Sequence, residues 1–342
     1  MPTLYPLLLQ PTYKDYLWGG DTIIRQFNRS EPPGTYAESW ELSDRSDGMS
    51  VVRNGPKAGT PLADIIADWG SSLLGSDAPN DKFPLLIKLI DSQQRLSVQV
   101  HPNDETAAQH GGDAKTECWY VLAAEPDAAV YAGFRDGVTQ EDYHAAVKKG
   151  ETGELLNRLL VAAGDVIFIP GGQVHAIDAG CLILEVQQNS NTTYRIDDWG
   201  RVGPDGKPRE LHVEQAAQVI RWDATGSPKV KPAPIYSANE NSHERLVVSP
   251  YFQLMRIRLT EPEAISGAGR AFVVLFVARG EVDVAWPGGS EHVTAGTSCL
   301  IPAALEGVTL TPTKDDTEVI HITLPETNTG TYESKVDQTQ PT

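Results

Sequence analysis

Alternating apolar and polar residues predict a β-strand at residues 96–101. The six positions are, in order, Leu96, Ser97, Val98, Gln99, Val100 and His101. A period of two is typical of a strand with one buried face. The three polar side chains therefore share the other face and point the same way.

Strand-like runs recur along most of the chain. They cover 83–90, 117–122, 164–170 and 181–187 in the first half, and 252–259, 271–278, 281–286, 299–302 and 319–324 in the second. Short apolar runs separated by turn residues are typical of β-rich folds. We therefore expect a mostly β protein with a few helices.

Helical spacing of apolar residues appears in a few places. It predicts helices over 60–70 and 210–222, and a small helical insertion over about 139–160. The insertion begins at a Thr139 cap and includes a second helical piece at 153–160. An insertion of this size between strands would cover one end of a β-barrel.

Three residues of metal-ligand type stand on or beside these strands. His101 ends the first run, Glu117 begins the run at 117–122, and His175 follows the Pro-Gly turn after 164–170. With the amide of Gln99 as a possible fourth ligand, this nitrogen and oxygen set suits Zn, Fe, Mn, Co or Ni. A lone histidine on a strand is more often a hydrogen-bonded core or surface residue, and spacing alone does not separate the two interpretations.

An internal repeat divides the chain. Residues 296–302, GTSCLIP, echo residues 164–170, GDVIFIP. Counted from the two glycines, His175 in the first copy falls opposite Gly307 in the second. We therefore expect the second copy to be degenerate and to lack metal ligands.

Composition excludes some partners. The 342 residues carry a formal charge of −18, which argues against binding to nucleic acid or to an anionic membrane surface. Cys118, Cys181 and Cys299 are far apart and do not form a disulfide framework, as is usual in a reducing compartment. The first twenty residues show neither a signal peptide nor a membrane span, so we expect a cytoplasmic protein. Both a monomer and a dimer are compatible with the sequence.

Four separated motifs carry a family resemblance. They are SVQVHPND at 97–104, KTECWYVL at 115–122, GDVIFIPGGQVHAI at 164–177 and ILEVQQNSNTTYRIDDWGR at 183–201. Together they closely resemble the type I phosphomannose isomerases in their short bacterial form, within the cupin superfamily. The resemblance implies two cupin-like (jelly-roll) β-barrels, the second degenerate. We divide the chain into a catalytic domain at 1–225, a proline-rich linker at 226–244, a second barrel at 245–326 and a polar tail at 327–342.

The resemblance also implies an activity and a site. It implies zinc-dependent interconversion of mannose 6-phosphate and fructose 6-phosphate through an enediol intermediate. The implied metal ligands are His101, Glu117, His175 and Gln99; the implied catalytic residues are Arg195, Lys115 and Glu185; the implied substrate contacts are Ser97 and Lys88. Lys115 and Glu185 are rival candidates for the base, and one zinc ion per chain is expected.

One feature leaves the substrate open, and two alternative functions fit the sequence less well. Asp197 stands where the family commonly has tyrosine, which puts an extra carboxylate near the expected phosphate. A cupin Fe dioxygenase would more typically show two closely spaced histidines, whereas here Gln99 takes the first place. A sugar-phosphate-binding cupin without turnover would be expected to lose Arg195, Lys115 or a ligand, and all of them are present.

Overall fold

The computed structural model describes residues 3–79, 81–203, 206–224, 227–235 and 239–325. The strands of the first half are β1 (Leu7–Gln10), β2 (Thr12–Lys14), β3 (Glu38–Leu42), β4 (Val51–Val52), β5 (Leu85–Ser92), β6 (Val98–Val100), β7 (Glu117–Ala124), β8 (Ala129–Phe134), β9 (Leu156–Leu160), β10 (Val166–Ile169), β11 (His175–Ile177), β12 (Cys181–Gln188) and β13 (Tyr194–Asp197). The helices are α1 (Thr22–Gln26), α2 (Leu62–Trp69), α3 (Ser71–Leu74), α4 (Asp104–His110), α5 (Gln140–Lys149) and α6 (Val213–Val219).

Two short 3-10 helices cover Gly55–Lys57 and Thr152–Leu155. After α6 the regular structure of the described residues consists of strands. Its strands are β14 (Lys229–Val230), β15 (Ala233–Ile235), β16 (Ser242–Val248), β17 (Gln253–Leu259), β18 (Glu263–Ile265), β19 (Val273–Arg279), β20 (Glu281–Trp286), β21 (Gly289–Thr294), β22 (Ser298–Ile301), β23 (Val308–Pro312) and β24 (Thr317–Thr323). The prediction of a mostly β protein with a few helices is confirmed. No helix in the described ranges is long and apolar enough to span a bilayer.

Two sheets of the N-terminal half form a sandwich. One has the order β14-β10-β7-β12-β5-β3-β2 and the other the order β13-β6-β11-β8-β9. Their facing side chains form one apolar core, which includes Trp119 and Ile183 from the first sheet and Val130 and Ile177 from the second. As paired in the described residues, the sheets stay open at their edges and do not close into barrels.

The orientation of β6 decides which side chains enter this sandwich. Val98 and Val100 are fully buried in a separate core with Ala216 and Val219 of α6. Because successive side chains of a strand point to opposite faces, Gln99 points away from α6 and toward the facing sheet. The apolar residues Val98 and Val100 thus pack against α6, and the polar residue Gln99 points into the sandwich.

The C-terminal half is a second sandwich behind the first. Its sheets have the orders β15-β16-β17-β24-β19-β22-β1-β4 and β18-β23-β20-β21, with Val277 and Val284 in the core between them. The larger of these sheets packs on the back of the seven-stranded sheet, where Leu184 and Phe276 belong to one continuous core. The two sandwiches therefore stabilise each other through apolar burial.

Strand pairing crosses the expected domain boundaries. β1 pairs with β22, with Leu7 opposite Leu300. Within the expected linker, β14 pairs with β10 of the first half and β15 pairs with β16 of the second. The expected tail at 327–342 lies outside the described residues.

One part of the expected helical insertion is wrong. The Thr139 cap forms as expected, because its hydroxyl accepts from Asp142 N and the Asp142 carboxylate accepts from Thr139 N, and α5 follows. Of the second helical piece expected at 153–160, the first part lies in a short 3-10 helix, Thr152–Leu155, and the rest, Leu156–Leu160, is a strand paired with β8. Its leucines do not share a buried face, since Leu156 is buried and Leu160 is 59% exposed, and backbone pairing to β8 outweighs the local helical spacing.

Candidate metal centre and active site

Three strands bring His101, Glu117 and His175 together. His101 directly follows β6, Glu117 begins β7 and His175 begins β11. One ligand atom from each residue lies within 4.8 Å of the other two. The Nε2 atoms of His101 and His175 lie 3.4 and 3.2 Å from the two carboxylate oxygens of Glu117. The structure thus assembles the three residues that the sequence predicts as ligands.

The hydrogen bonds of the two histidines orient them for metal binding. His101 Nδ1 lies 2.8 Å from the carbonyl oxygen of Thr192, and His175 Nδ1 lies 2.8 Å from that of Gln173. A carbonyl oxygen only accepts, so each Nδ1 carries the proton and donates. Each Nε2 then presents a lone pair to the cluster, and that of His101 accepts from Lys115 Nζ at 3.1 Å. This is the tautomer, and the kind of outer contact, found for histidines that bind metals.

The charge states of the cluster also suit a cation. Burial, with Lys115 adding to it, lowers the pKa of His101 to about 3, and burial lowers the pKa of His175. Burial opposes ionisation of Glu117, but the Lys115 ammonium outweighs it, and the pKa of the carboxyl group lies well below its usual value. Two neutral imidazoles and an ionised carboxylate are the forms that bind a divalent metal.

The Glu117 carboxylate shows most directly whether the cluster fits a metal ion. Both of its oxygens are buried. Lys115 Nζ compensates Oε2 at 2.8 Å, whereas Oε1 has no hydrogen-bond donor and lies 3.2 Å from the Nε2 of His175. A buried carboxylate oxygen without a hydrogen bond is costly unless a cation compensates it. The residues present therefore fit a metal ion.

Gln99 and Ser97 lie beside the cluster. Gln99 Nε2 is 3.3 Å from His175 Nε2, and the Ser97 hydroxyl donates to Gln99 Oε1 at 3.4 Å. Gln99 is the register partner of His175 on β11 and of Arg195 on β13. Arg195, Gln99 and His175 thus form one row across the five-stranded sheet.

A chain of alternating charges extends from Glu117. Lys115 lies 3.7 Å from Glu185, which lies 3.0 Å from Lys88, which in turn lies 3.4 Å from Glu38. All of these side chains are buried. Burial, with the Glu117 charge adding to it, raises the pKa of Glu185. Both lysines thus lie between carboxylates, and these ion pairs offset part of the cost of burying the two side chains.

A cavity of about 300 Å³ opens beside the cluster. The predicted residues outside the three-ligand set all line it, namely Ser97, Gln99, Lys88, Lys115, Glu185 and Arg195. Arg195 also donates through Nη1 to the Glu210 carbonyl oxygen at 2.8 Å. Asp197 is not among the lining residues; it is buried and accepts from Trp199 N at 2.8 Å.

Other residues line the cavity that we did not predict from the sequence. They include Tyr16, Trp18, Glu38, Asn191, Thr193 and Arg209. Glu38 lies on β3, where the fully buried Trp40 donates to its carboxylate at 2.7 Å. The sequence signal for Glu38 was a carboxylate within a strand whose residues are all buried. For Arg209, a residue of an irregular segment, no periodic signal exists.

The fold and site define a β-sandwich protein with a buried cluster of two histidines and a carboxylate that could hold a metal ion, next to a polar cavity. Residues 7–136 match the family model described as phosphomannose isomerase type I, catalytic domain. The chain is 42% identical over 221 residues to mannose-6-phosphate isomerase ManA of Bacillus subtilis, covering 64% of this chain and 69% of the relative. It is 36% identical over 256 residues to the mannose-6-phosphate isomerase of Streptococcus mutans, covering 75% and 79%. The chain belongs to the type I phosphomannose isomerase family.

The solved structures agree with this assignment. The crystal structure of the mannose 6-phosphate isomerase from Bacillus subtilis superposes with a TM-score of 0.84 at 27% identity, covering 93% of this chain and 99% of that one. A putative mannosephosphate isomerase from Archaeoglobus fulgidus has a TM-score of 0.75 at 23% identity, over 95% and 99% of the two chains, and shares the fold.

Proposed function

We propose that this protein is a metal-dependent aldose-ketose isomerase that interconverts mannose 6-phosphate and fructose 6-phosphate. The observation that carries the proposal is the buried cluster of His101, Glu117 and His175 beside a cavity lined by Lys115, Glu185 and Arg195. Isomerisation moves a proton between C1 and C2 of the sugar and builds negative charge on its oxygens. A site for this reaction needs a proton carrier and fixed positive charge, and the cavity wall holds both.

We propose one Zn²⁺ per chain as the metal. Two imidazoles and one carboxylate are a usual ligand set for catalytic zinc, with Gln99 placed as an additional amide ligand. When bound, zinc supplies Lewis-acid stabilisation of negative charge on the substrate oxygens. Other divalent metals of similar preference fit the same atoms.

The chain's own residues divide the remaining tasks. Lys115 and Glu185 are the two groups placed to take and return the proton, because both line the cavity. Arg195 supplies a fixed cation for the enediolate charge. Ser97 and Lys88 contact the sugar, and Lys88 is held in place from both sides by Glu38 and Glu185.

The net charge and the cysteines of the chain bear on its cellular location and on its partners. We propose a reducing, cytoplasmic location, because Cys118, Cys181 and Cys299 are each buried and unpaired. The charge of −18 leaves a small sugar phosphate as the proposed partner rather than nucleic acid or a membrane surface, and monomer and dimer both remain compatible with the chain.

The deciding experiment is a coupled assay of fructose 6-phosphate formation from mannose 6-phosphate. The purified protein is assayed as isolated, after chelation and dialysis, and after addition of Zn²⁺. We expect activity that is lost with the metal and restored by it. Full activity in metal-free protein overturns the metal-dependent mechanism. Metal binding without turnover indicates a sugar-phosphate-binding cupin, and oxygen consumption with Fe²⁺ indicates a dioxygenase.

A further inference from the structure

One turn contacts the chain segments of all three predicted metal ligands. This 170–173 turn lies between β10 and β11. The Gly172 amide donates to the carbonyl oxygen of His101 at 2.7 Å, and the Gln173 carbonyl oxygen accepts from His175 Nδ1 at 2.8 Å. The turn therefore contacts two of the ligands directly, through its own backbone.

Thr116 links the same turn to the third ligand. Its hydroxyl accepts from the Gly171 amide at 3.2 Å, and Thr116 directly precedes Glu117. The backbone pairing of β7 with β10 ends at Glu117 and Ile169, so this side-chain contact extends the attachment beyond the last backbone pair. Thr116 and Gly171 are both buried, so water does not replace either partner.

The backbone around Thr116 is itself fixed. The Thr116 amide donates to Gln188 Oε1 at 2.8 Å, and the Thr116 carbonyl oxygen accepts from Gln188 N at 3.2 Å. One residue earlier, the Lys115 amide donates to the Pro102 carbonyl oxygen at 2.9 Å. The hydroxyl that holds the turn therefore belongs to a segment that is hydrogen-bonded on both sides.

Gly171 leaves no room for a side chain. A Cβ atom at this position would lie 2.7 Å from Asn103 Cα and 2.8 Å from the Pro102 carbonyl oxygen. Both are backbone atoms of the segment that follows His101, so no rotamer change relieves the contact. The turn therefore packs directly on the chain that carries His101, and a shift of the turn displaces that chain.

We propose that the 170–173 turn sets the relative positions of His101, Glu117 and His175, and that Thr116 is the positioning residue that holds the turn through its hydroxyl. The proposal rests on the proposed function for the presence of the metal. Thr116 belongs neither to the ligand cluster nor to the lining of the cavity, so it acts through the turn. Removing contacts that orient ligands commonly weakens metal binding by about 10–100-fold.

The test compares Thr116→Val with Thr116→Ser. Valine keeps the shape of threonine but leaves the buried Gly171 amide without an acceptor, whereas serine keeps the hydroxyl. The dissociation constant for Zn²⁺ is measured by competition with a chromophoric chelator, which needs no turnover. We expect this Kd to rise about tenfold or more in Thr116→Val and to stay within about threefold of the parent in Thr116→Ser.

Thr323→Val is the control for the loss of a buried threonine hydroxyl. The Thr323 hydroxyl donates to the Phe272 carbonyl oxygen at 2.6 Å in the second sandwich. This variant should therefore unfold at lower urea concentration than the parent and bind Zn²⁺ with the affinity of the parent. A purely structural effect of Thr116→Val would resemble this control.

Gly171→Ala tests the packing of the turn independently of the hydroxyl. The added methyl group displaces the segment after His101, so the Kd for Zn²⁺ should rise about tenfold or more. Gly34→Ala is the control for the substitution itself, since a Cβ atom at Gly34 meets no atom closer than 3.5 Å. Its Kd for Zn²⁺ should equal that of the parent.

An unchanged Kd in Thr116→Val, or equal rises in Thr116→Val and Thr116→Ser, overturns the proposal. If circular dichroism shows that Thr116→Val does not fold, Gly171→Ala decides: a raised Kd supports the proposal and an unchanged one overturns it. If the parent binds no Zn²⁺, the proposed metal fails. Hydrogen exchange at residues 171–172 of the parent and Thr116→Val then decides the positioning role, because faster exchange in the variant supports it and equal exchange overturns it.

Discussion

Arg195 and His175 lie in one row of the five-stranded sheet, on either side of Gln99. Since neighbouring strands are about 4.8 Å apart, the two backbones are separated by roughly 10 Å. The Arg195 guanidinium lines the cavity, and His175 belongs to the buried cluster beside it. The row therefore fixes the distance between the cationic wall of the cavity and the cluster.

Replacing Arg195 with Gln should lower kcat by about 10²–10³-fold, because a fixed cation for the developing negative charge is lost. Metal content should stay at the parent level, since Arg195 is not a ligand. Steady-state kinetics and metal analysis measure the two quantities. Arg25→Gln is a suitable control, because its pair with Asp21 is exposed. A change confined to KM would reassign Arg195 to phosphate binding.

Replacing His175 with Ala should remove both metal and isomerase activity while the chain stays folded, because the pairing of β11 with β6 and β8 uses backbone groups. Metal stoichiometry, circular dichroism and the coupled assay measure these properties. His292→Ala is the control, since His292 is 49% exposed and lies on the distant β21. Normal turnover in a His175→Ala protein that contains no metal contradicts the proposed mechanism.

Local alternation was enough to put Ser97 and Gln99 on the inward face of a strand, but the interpretation of His101, Glu117 and His175 as ligands came from the family resemblance. Val98 and Val100 pack outward on α6, so the polar partners of the pattern had to face inward, and Glu117 and His175 begin strands of their own. The same kind of local reading failed for Leu156–Leu160, where leucine spacing fits a helix but the backbone pairs with β8.

Other features depend on contacts between distant parts of the chain. No property of residues 7–10 indicates that β1 joins β22, almost 300 residues later. Arg209 enters the cavity because Asp198 holds it and because the His212 amide donates to the Arg195 carbonyl oxygen at 2.7 Å. Such contacts follow from the packed fold, and no periodicity in the sequence encodes them.

Tyr120 connects the two sandwiches through its hydrogen bond to Glu318, donated at 2.5 Å. Glu318 is buried and also pairs with Arg258 and Arg279. Tyr120→Phe should reduce the free energy of unfolding by about 1 kcal/mol, and up to about 3 kcal/mol, because the carboxylate loses a buried donor. Kinetic constants should not change, since neither residue lines the cavity at the metal cluster.

Urea unfolding of the zinc-loaded protein measures this effect. Tyr251→Phe is the matched control, because the Tyr251 hydroxyl donates to Asp104 at an exposed position, where a lost hydrogen bond usually costs about 0.5 kcal/mol or less. Equal losses in the two variants would mean that the contact between Tyr120 and Glu318 does not stabilise the junction between the sandwiches.

His321 on β24 should make stability depend on pH. Burial lowers its pKa from 6.5 to about 4, with His243 lowering it further and Glu263 opposing. Between these two values the unfolded chain binds more protons than the folded one, so the free energy of unfolding decreases as the pH falls from about 6.5 to 4. At 1.36 kcal/mol per pKa unit, the loss is on the order of 2–3 kcal/mol.

His321→Gln removes the proton-binding group and should flatten the stability profile over this range. Unfolding of the zinc-loaded parent and variant at several pH values gives the difference directly, and the exposed His292→Gln serves as control. The gap between parent and His321→Gln should shift in favour of the variant as the pH falls, while His292→Gln follows the parent. Parallel profiles for the parent and His321→Gln would show that His321 is protonated in the folded chain as readily as in the unfolded one.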